Sequence, residues 1–196
     1  MKRKTNVGTV RIISGKYRGR KITFPALAGV RPSPDRIRET LFNWLMDDIY
    51  QQRCLDVFAG SGILGLETLS RGAAHLTAWE QQQDLANHLQ QQLDALNFND
   101  HAQVQCADSL TLLNQTCSIP YNLVFLDPPF YQNLIPICLE RLICNHWLQS
   151  GSYLYIETEA SYVLDSKLSL DHRLTLLRSK KSGDVAYHLL SYQPTV

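Results

Sequence analysis

From residue 53 onward the chain alternates between two hydrophobic rhythms. Short apolar runs at 53–58, 75–80, 102–106, 121–126 and 152–157 have the length and β-branched or aromatic content of buried strands. Between them, apolar positions recur every three or four residues, which predicts helices over 62–71, 82–96, 109–115 and 132–146. Gly72 suits the residue just past the first of these helices. Leu85, Leu89, Leu93 and Leu96 give the second one an apolar stripe beneath a glutamine-rich exposed face. Two more strands are expected at 171–178 and 184–192, separated by Lys180-Lys181-Ser182-Gly183. A parallel βα series closed by an antiparallel hairpin predicts an α/β fold on a seven-stranded Rossmann-like sheet.

The amino-terminal part has a different pattern. Residues 9–24 carry strand-forming ends around a basic, glycine-containing centre, which predicts a β-hairpin. Pro32 and Pro34 mark a connector, after which Ser33 or Asp35 is expected to cap a helix running from about Arg36 to Ile49. Ile37, Leu41, Trp44, Leu45 and Ile49 give that helix one apolar face. The expected division is a basic hairpin extension over 1–33 and the α/β domain over 34–196.

The first strand runs into a glycine turn, Asp56-Val57-Phe58-Ala59-Gly60-Ser61-Gly62-Ile63-Leu64-Gly65, with glycines at G-x-G-x-x-G spacing. Such a turn allows a ligand to approach the backbone closely, and the following helix offers unpaired N–H groups and the positive end of its dipole. Glu80, twenty positions after Gly60, ends the second strand, where a carboxylate can accept from both hydroxyls of a ribose. A nucleoside cofactor fits this arrangement; nicotinamide, flavin and S-adenosylmethionine enzymes all use versions of it.

Composition narrows the class. The 196 residues are 44% hydrophobic and 19% charged, and they contain no apolar run long enough to span a bilayer. Five cysteines without C-x-x-C pairs argue against a disulfide framework or zinc site and for a reducing, cytoplasmic setting. The six histidines are scattered, and no metal role is expected of them. The formal net charge of +1 hides an asymmetry: residues 1–38 hold eleven Lys/Arg against one acid, whereas the remaining 158 hold eight against seventeen. Because these cations are interleaved with strand formers, they predict a folded basic platform for a phosphate-rich partner.

The fourth strand leads directly into Asp127-Pro128-Pro129-Phe130. An Asp-Pro-Pro-aromatic sequence at this position looks like the active-site motif of amino-methyltransferases. Together with Arg11-Ile12-Ile13-Ser14-Gly15-Lys16-Tyr17-Arg18-Gly19-Arg20, the stretch from Arg31 to Leu45, Glu80, and Gly183-Asp184-Val185-Ala186-Tyr187, it makes the chain resemble the RsmD family of bacterial small-subunit ribosomal RNA guanine-N2 methyltransferases over nearly its whole length. Ser33 stands where that family usually has Thr, and Trp79 replaces a small aliphatic residue. The resemblance implies S-adenosylmethionine as methyl donor and the exocyclic amine of one guanine in 16S rRNA as acceptor. It further implies that the substrate is the assembled or assembling 30S subunit. A monomer without metal or membrane attachment is expected. Other nucleic-acid amino-methyltransferases, acting on DNA or rRNA adenine N6, and a non-catalytic RNA-binding module on the same fold are the alternatives.

On this basis Asp127 and the Pro128 carbonyl are expected to accept N–H bonds from the target amine, and Phe130 to stack on a base that has left its helix. Asp127 is also expected to take the departing proton. Phe58, Ala59, Gly60, Ser61 and Gly62 should line the methionine part of the donor and Glu80 its ribose. Asp108 should meet the adenine amino group. Asp56 should reach the methionine ammonium through water, or else stabilise the turn. Arg11, Lys16, Arg18, Arg20, Arg36 and Arg38 are the expected phosphate contacts, and the Gly183 loop, preceded by Lys180 and Lys181, is expected to overhang the pocket.

Overall fold

The expected strands form in a computed structural model that describes residues 7–25, 32–164 and 172–194. In chain order the elements are β1 (Val7–Arg11), β2 (Lys21–Pro25), α1 (Asp35–Trp44), β3 (Arg53–Asp56), α2 (Ile63–Ser70), β4 (His75–Glu80), α3 (Gln83–Ala95), β5 (Ala102–Cys106), α4 (Ser109–Leu113), β6 (Tyr121–Leu126), α5 (Leu134–Cys144), β7 (Leu148–Glu159), β8 (Leu174–Ser182) and β9 (Val185–Tyr192). The seven strands from β3 onward make one sheet in the order β5-β4-β3-β6-β7-β9-β8, and β1 and β2 pair as a separate antiparallel hairpin. Strands β3 to β7 are parallel, whereas β9 runs antiparallel to both of its neighbours. The chain winds outward from β3 through β4 to β5, then returns to place β6 on β3's other side. The carboxyl ends of β3 and β6 therefore flank a topological switch point, where open α/β sheets bind ligands.

Alternation along each strand divides the core into two layers. Cys54, Leu123, Phe125 and Tyr155 point to the face covered by α1, α2 and α3, with Leu41, Leu66 and Leu89 among their partners. Leu55, Val124, Leu126, Leu154 and Ile156 point to the opposite face, against Cys138, Leu139 and Leu142 of α5. The hairpin shares the first layer, since Ile12 and Ile22 are fully buried in it. Each such isoleucine contributes on the order of 2–3 kcal/mol through burial.

Several boundaries differ from expectation. Helix α1 stops at Trp44, and its N-cap Pro34 makes no side-chain cap bond. Asp47 and Asp48 oppose the negative end of the helix dipole, so the backbone leaves the helix there, although Leu45 and Ile49 stay buried. Ser33 and Asp35 do not cap the helix, because Ser33 bonds Glu157 and Asp35 pairs with Arg38 and Arg11. Lys180 and Lys181 belong to β8, paired with Tyr187 and Ala186, and the loop is reduced to a tight turn at Gly183 and Asp184. Charged side chains suit an exposed edge strand, so nothing stops the ladder before the turn. Arg31 and residue 171, the first of an expected strand, lie outside the described residues. Among the described residues no helix is long and apolar enough to cross a membrane.

Candidate active site

An acid stands at or within two residues of the carboxyl end of each of four neighbouring strands: Asp56 on β3, Glu80 on β4, Asp127 after β6 and Glu157 on β7. By strand alternation all four leave the sheet on the face that carries α2. Their neighbours two residues back, Cys54, Ala78, Phe125 and Tyr155, belong to that layer. Leu126 is paired with Ile156 in parallel register, so Asp127 and Glu157 are the next residues on adjacent strands and lie side by side. Parallel strands are about 4.8 Å apart.

The glycine turn is held by one of these acids. Gly60 and Gly62 have φ of +52° and +74°, the left-handed region that glycine enters freely. A Cβ on Gly62 would come within 2.2 Å of Leu89. The Gly60 N–H donates to Glu80 Oε2 at 2.8 Å and the Gln82 N–H to Oε1 at 2.7 Å. Glu80 thus fixes the turn as well as standing where a ribose would be met, and each oxygen keeps a lone pair for further donors.

Asp56 is 2% exposed, and its Oδ1 has no hydrogen-bond partner among the described residues. Burial, reinforced by the charge of Glu80, pushes its carboxyl up to about 7, while the Phe58 and Gly65 amides oppose the shift. A buried acid with one oxygen unpartnered, next to a glycine turn, fits a cationic donor such as S-adenosylmethionine. Phe58, Ala59 and Ser61 complete the turn, with Ser61 and Ala59 buried and Phe58 partly open. Asp108 caps α4, accepting from the Thr111 N–H at 2.7 Å and the Thr111 hydroxyl at 2.9 Å, both through Oδ1. Its exposed position leaves Oδ2 available. Ser109, the next residue, donates to the Val57 carbonyl and so ties this cap to the glycine turn.

Asp127 makes no side-chain hydrogen bond among the described residues, and its carboxyl is pushed up by burial and by the nearby acids Glu157 and Asp56. The Pro128 carbonyl accepts no backbone bond among the described residues. Pro128, Phe130, Tyr131, Glu157, Thr158 and Tyr162 line one cleft. In its wall Tyr131 and Asn133 adopt positive φ, and Tyr131 is 80% exposed with its ring edge-on to Phe130. A larger hollow lies between Asp48, Gln52, Asn122 and Tyr153 at the amino ends of β6 and β7, away from every residue named above.

Glu157, which lines the cleft with Pro128 and Phe130, is a candidate that the sequence reading missed. It is 3% exposed, and its Oε1 accepts from the Ser33 hydroxyl at 2.6 Å and the Tyr155 hydroxyl at 2.8 Å. Burial pushes its carboxyl up, and the two hydroxyls oppose that shift. The signal was present in Tyr153-Leu154-Tyr155-Ile156-Glu157: an acid ending an apolar run, as in Trp79-Glu80 and Leu126-Asp127.

Of the six expected phosphate contacts, Arg11, Lys16, Arg18, Arg20 and Arg36 are exposed. Arg11 is paired with Asp35 at 3.2 Å. Arg38 is a correction. Its guanidinium is fully enclosed, bonded to Glu67 Oε1 at 2.5 Å, to Asp35 at 2.6 Å and to the Ser33 and Arg11 carbonyls at 3.0 Å. With its donors committed in this way, no phosphate reaches it. The same Glu67 oxygen accepts the Ile13 N–H at 2.6 Å, and Ser70 accepts the Tyr17 N–H and donates to the Ser14 carbonyl. The helix that follows the glycine turn therefore carries the root of the basic hairpin.

Comparison with known proteins agrees with this geometry. Residues 10–191 match the family model described as Conserved hypothetical protein 95. The chain is 44% identical over 184 residues, 93% of each chain, to ribosomal RNA small subunit methyltransferase D of Haemophilus influenzae. It superposes on a structure described as the putative methyltransferase yhhF from Escherichia coli with a TM-score of 0.84 and 39% identity, covering 96% of this chain and 100% of that one. A more distant structure, described as the T. thermophilus 16S rRNA N2 G1207 methyltransferase RsmC with AdoMet and guanosine, shares the fold at a TM-score of 0.71 and 19% identity, covering 97% of this chain and 50% of that one.

Proposed function

The chain belongs to the Conserved hypothetical protein 95 family, the methyltransferase family of small-subunit ribosomal RNA methyltransferase D, and from that premise we propose that it methylates the exocyclic N2 of one specific guanine in 16S rRNA. S-adenosylmethionine is the proposed donor, and the assembled or assembling 30S subunit the proposed substrate. The observation that carries the reading is the position of Asp127-Pro128-Pro129-Phe130 at the carboxyl end of β6, across the switch point from the glycine turn after β3.

S-adenosylmethionine, when bound, supplies a sulfonium-activated methyl group. Gly60 and Gly62 with their neighbours would hold its methionine part, Glu80 its ribose, Asp108 its adenine, and Asp56 would balance its positive charge. The guanine amine is a weak nucleophile because its lone pair is conjugated with the ring. Asp127 and the Pro128 carbonyl answer this by accepting its two N–H groups, which turns the nitrogen lone pair toward the methyl group. Alignment of this kind lowers a barrier by up to about 7–11 kcal/mol, and acceptors fixed where positive charge develops add to it. As the N2–CH3 bond forms, the electron pair of the broken S–CH3 bond would stay on sulfur, giving a neutral thioether, and one N2 proton leaves along its hydrogen bond to the Asp127 carboxylate. Phe130 stacks on the extruded base. Arg11, Lys16, Arg18, Arg20 and Arg36 hold the phosphates of the flanking strand.

Transfer of labelled methyl groups to 30S subunits from cells lacking the enzyme, followed by nucleoside analysis, tests this reading. N2-methylguanosine is the expected product, lost in Asp127→Ala with donor binding kept. N6-methyladenosine would indicate an adenine enzyme, and RNA binding without any product would indicate a silent binding module.

A further inference from the structure

Glu157 is placed to do more than support the fold. It lies beside Asp127 on the adjacent strand, lines the same cleft as Pro128 and Phe130, and is nevertheless almost completely buried. Its two oxygens are in different situations. Oε1 takes hydroxyl donors from Ser33 and Tyr155, which fix the rotamer and leave a carboxyl oxygen of known direction. Oε2 accepts no hydrogen bond among the described residues and is not sealed from solvent as Asp56 Oδ1 is, so it is an open acceptor on the wall of the cleft. A substrate that enters the cleft can present a donor to this oxygen and take the place of solvent there.

The geometry points to Glu157 as the residue that selects guanine: its Oε2 accepts the N1–H of the target base, next to the amine held by Asp127 and the Pro128 carbonyl. This inference rests on the guanine-N2 reading above. Guanine carries adjacent donors, N1–H and N2–H2, on one edge. Two side-by-side carboxyl groups on neighbouring strands match that pair of donors. Adenine offers a lone pair at N1, which would face the carboxylate and be repelled. Discrimination of this kind is strong because the wrong base leaves a buried acceptor unpaired. Ser33 and Tyr155 are positioning residues, since they hold Glu157 and do not reach the base themselves.

The test uses the full chain and small subunits reconstituted with guanosine or 2-aminopurine riboside at the nucleotide that the wild-type enzyme methylates. 2-Aminopurine keeps the amine and lacks N1–H. Wild type should lose roughly 10- to 100-fold in kcat/KM on the analogue. Glu157→Gln should lose a similar factor on guanosine and little more on 2-aminopurine, so the ratio between the two bases falls toward one. Donor binding by calorimetry should be unchanged. A merely structural role would lower both rates together and leave the ratio intact, which overturns the inference. Should Glu157→Gln fail to fold, Glu157→Asp, which keeps the charge and withdraws the oxygen by one methylene, must show the same compressed ratio. If wild type methylates guanosine and the ratio survives both substitutions, this inference alone falls. If wild type yields no N2-methylguanosine, both readings fall.

Discussion

Gly60 and Glu80, twenty residues apart, are joined by a 2.8 Å hydrogen bond from the amide of the first to Oε2 of the second. The carboxylate proposed to meet the ribose therefore also shapes the turn that would hold the rest of the donor. Glu80→Gln retains one carbonyl oxygen for two backbone donors, Gly60 and Gln82, so one N–H is orphaned. It should cost about 1–3 kcal/mol in urea unfolding. Donor affinity, measured by calorimetry, should fall by roughly 10-fold or more. Unchanged stability would mean that the turn does not depend on Glu80.

The burial of Asp56 predicts a pH dependence of donor binding. Its carboxyl titrates at about 7 in the folded chain against 3.8 for the unperturbed group, so the folded protein holds the extra proton between these values. Stability from this group is full below about pH 4 and declines as pH rises to about 7, by a total on the order of 4 kcal/mol. A sulfonium favours the ionised form, so donor affinity should rise with pH through about 7. Asp56→Asn should flatten both curves across that window. Asp127 and Glu157, shifted in the same direction, will keep their own contributions.

Gly15 tests the attachment of the hairpin. It sits at φ +82°, and a Cβ there would meet the Ser70 carbonyl oxygen at 2.0 Å. Gly15→Ala should lower stability by about 1–3 kcal/mol and weaken RNA binding, with donor binding largely retained. Loss of donor binding in the folded variant would show that hairpin and cofactor turn are coupled more tightly than this.

Arginines of the basic amino-terminal stretch should divide into two behaviours. Arg18 and Arg20 are exposed, so replacing both by Ala should weaken RNA binding and reduce the slope of log affinity against log salt by about 1–2. Arg38 is enclosed, and Arg38→Met should cost about 3–5 kcal/mol by leaving Glu67 without its closest partner. In the folded fraction the salt slope should not change. A slope unaffected by the Arg18/Arg20 pair would remove those residues from the RNA surface.

Much of the fold was legible because strand runs and helical spacing carry it locally. The sheet, its antiparallel end and the hairpin all appear where the pattern put them. The places of the glycine turn and Asp127, each just after a recognisable strand, and of Glu80, the last residue of one, were legible for the same reason. The misses share a different cause. Arg38 reads as one more cation in a basic stretch, and only tertiary packing delivers Glu67, twenty-nine residues on, to enclose it. Ser33 reads as a helix cap until Glu157, 124 residues away, claims its hydroxyl. Helix α1 was drawn too long because the apolar spacing continues through Leu45 and Ile49 after the backbone has left the helix. Periodicity reports which side chains are buried, and it does not report which polar groups meet inside.

Ile12 and Ile22 lie in the same apolar layer as Leu66 and Leu89, and the Ile13 amide ends on Glu67 of the helix after the glycine turn. A shortened protein that began after the hairpin would expose that layer to water and leave Glu67 facing fewer donors. The basic hairpin is thus no detachable module that recombination could exchange for another. A lineage that acquired a different nucleic-acid target would have to do so by repainting surface charges on an inherited frame.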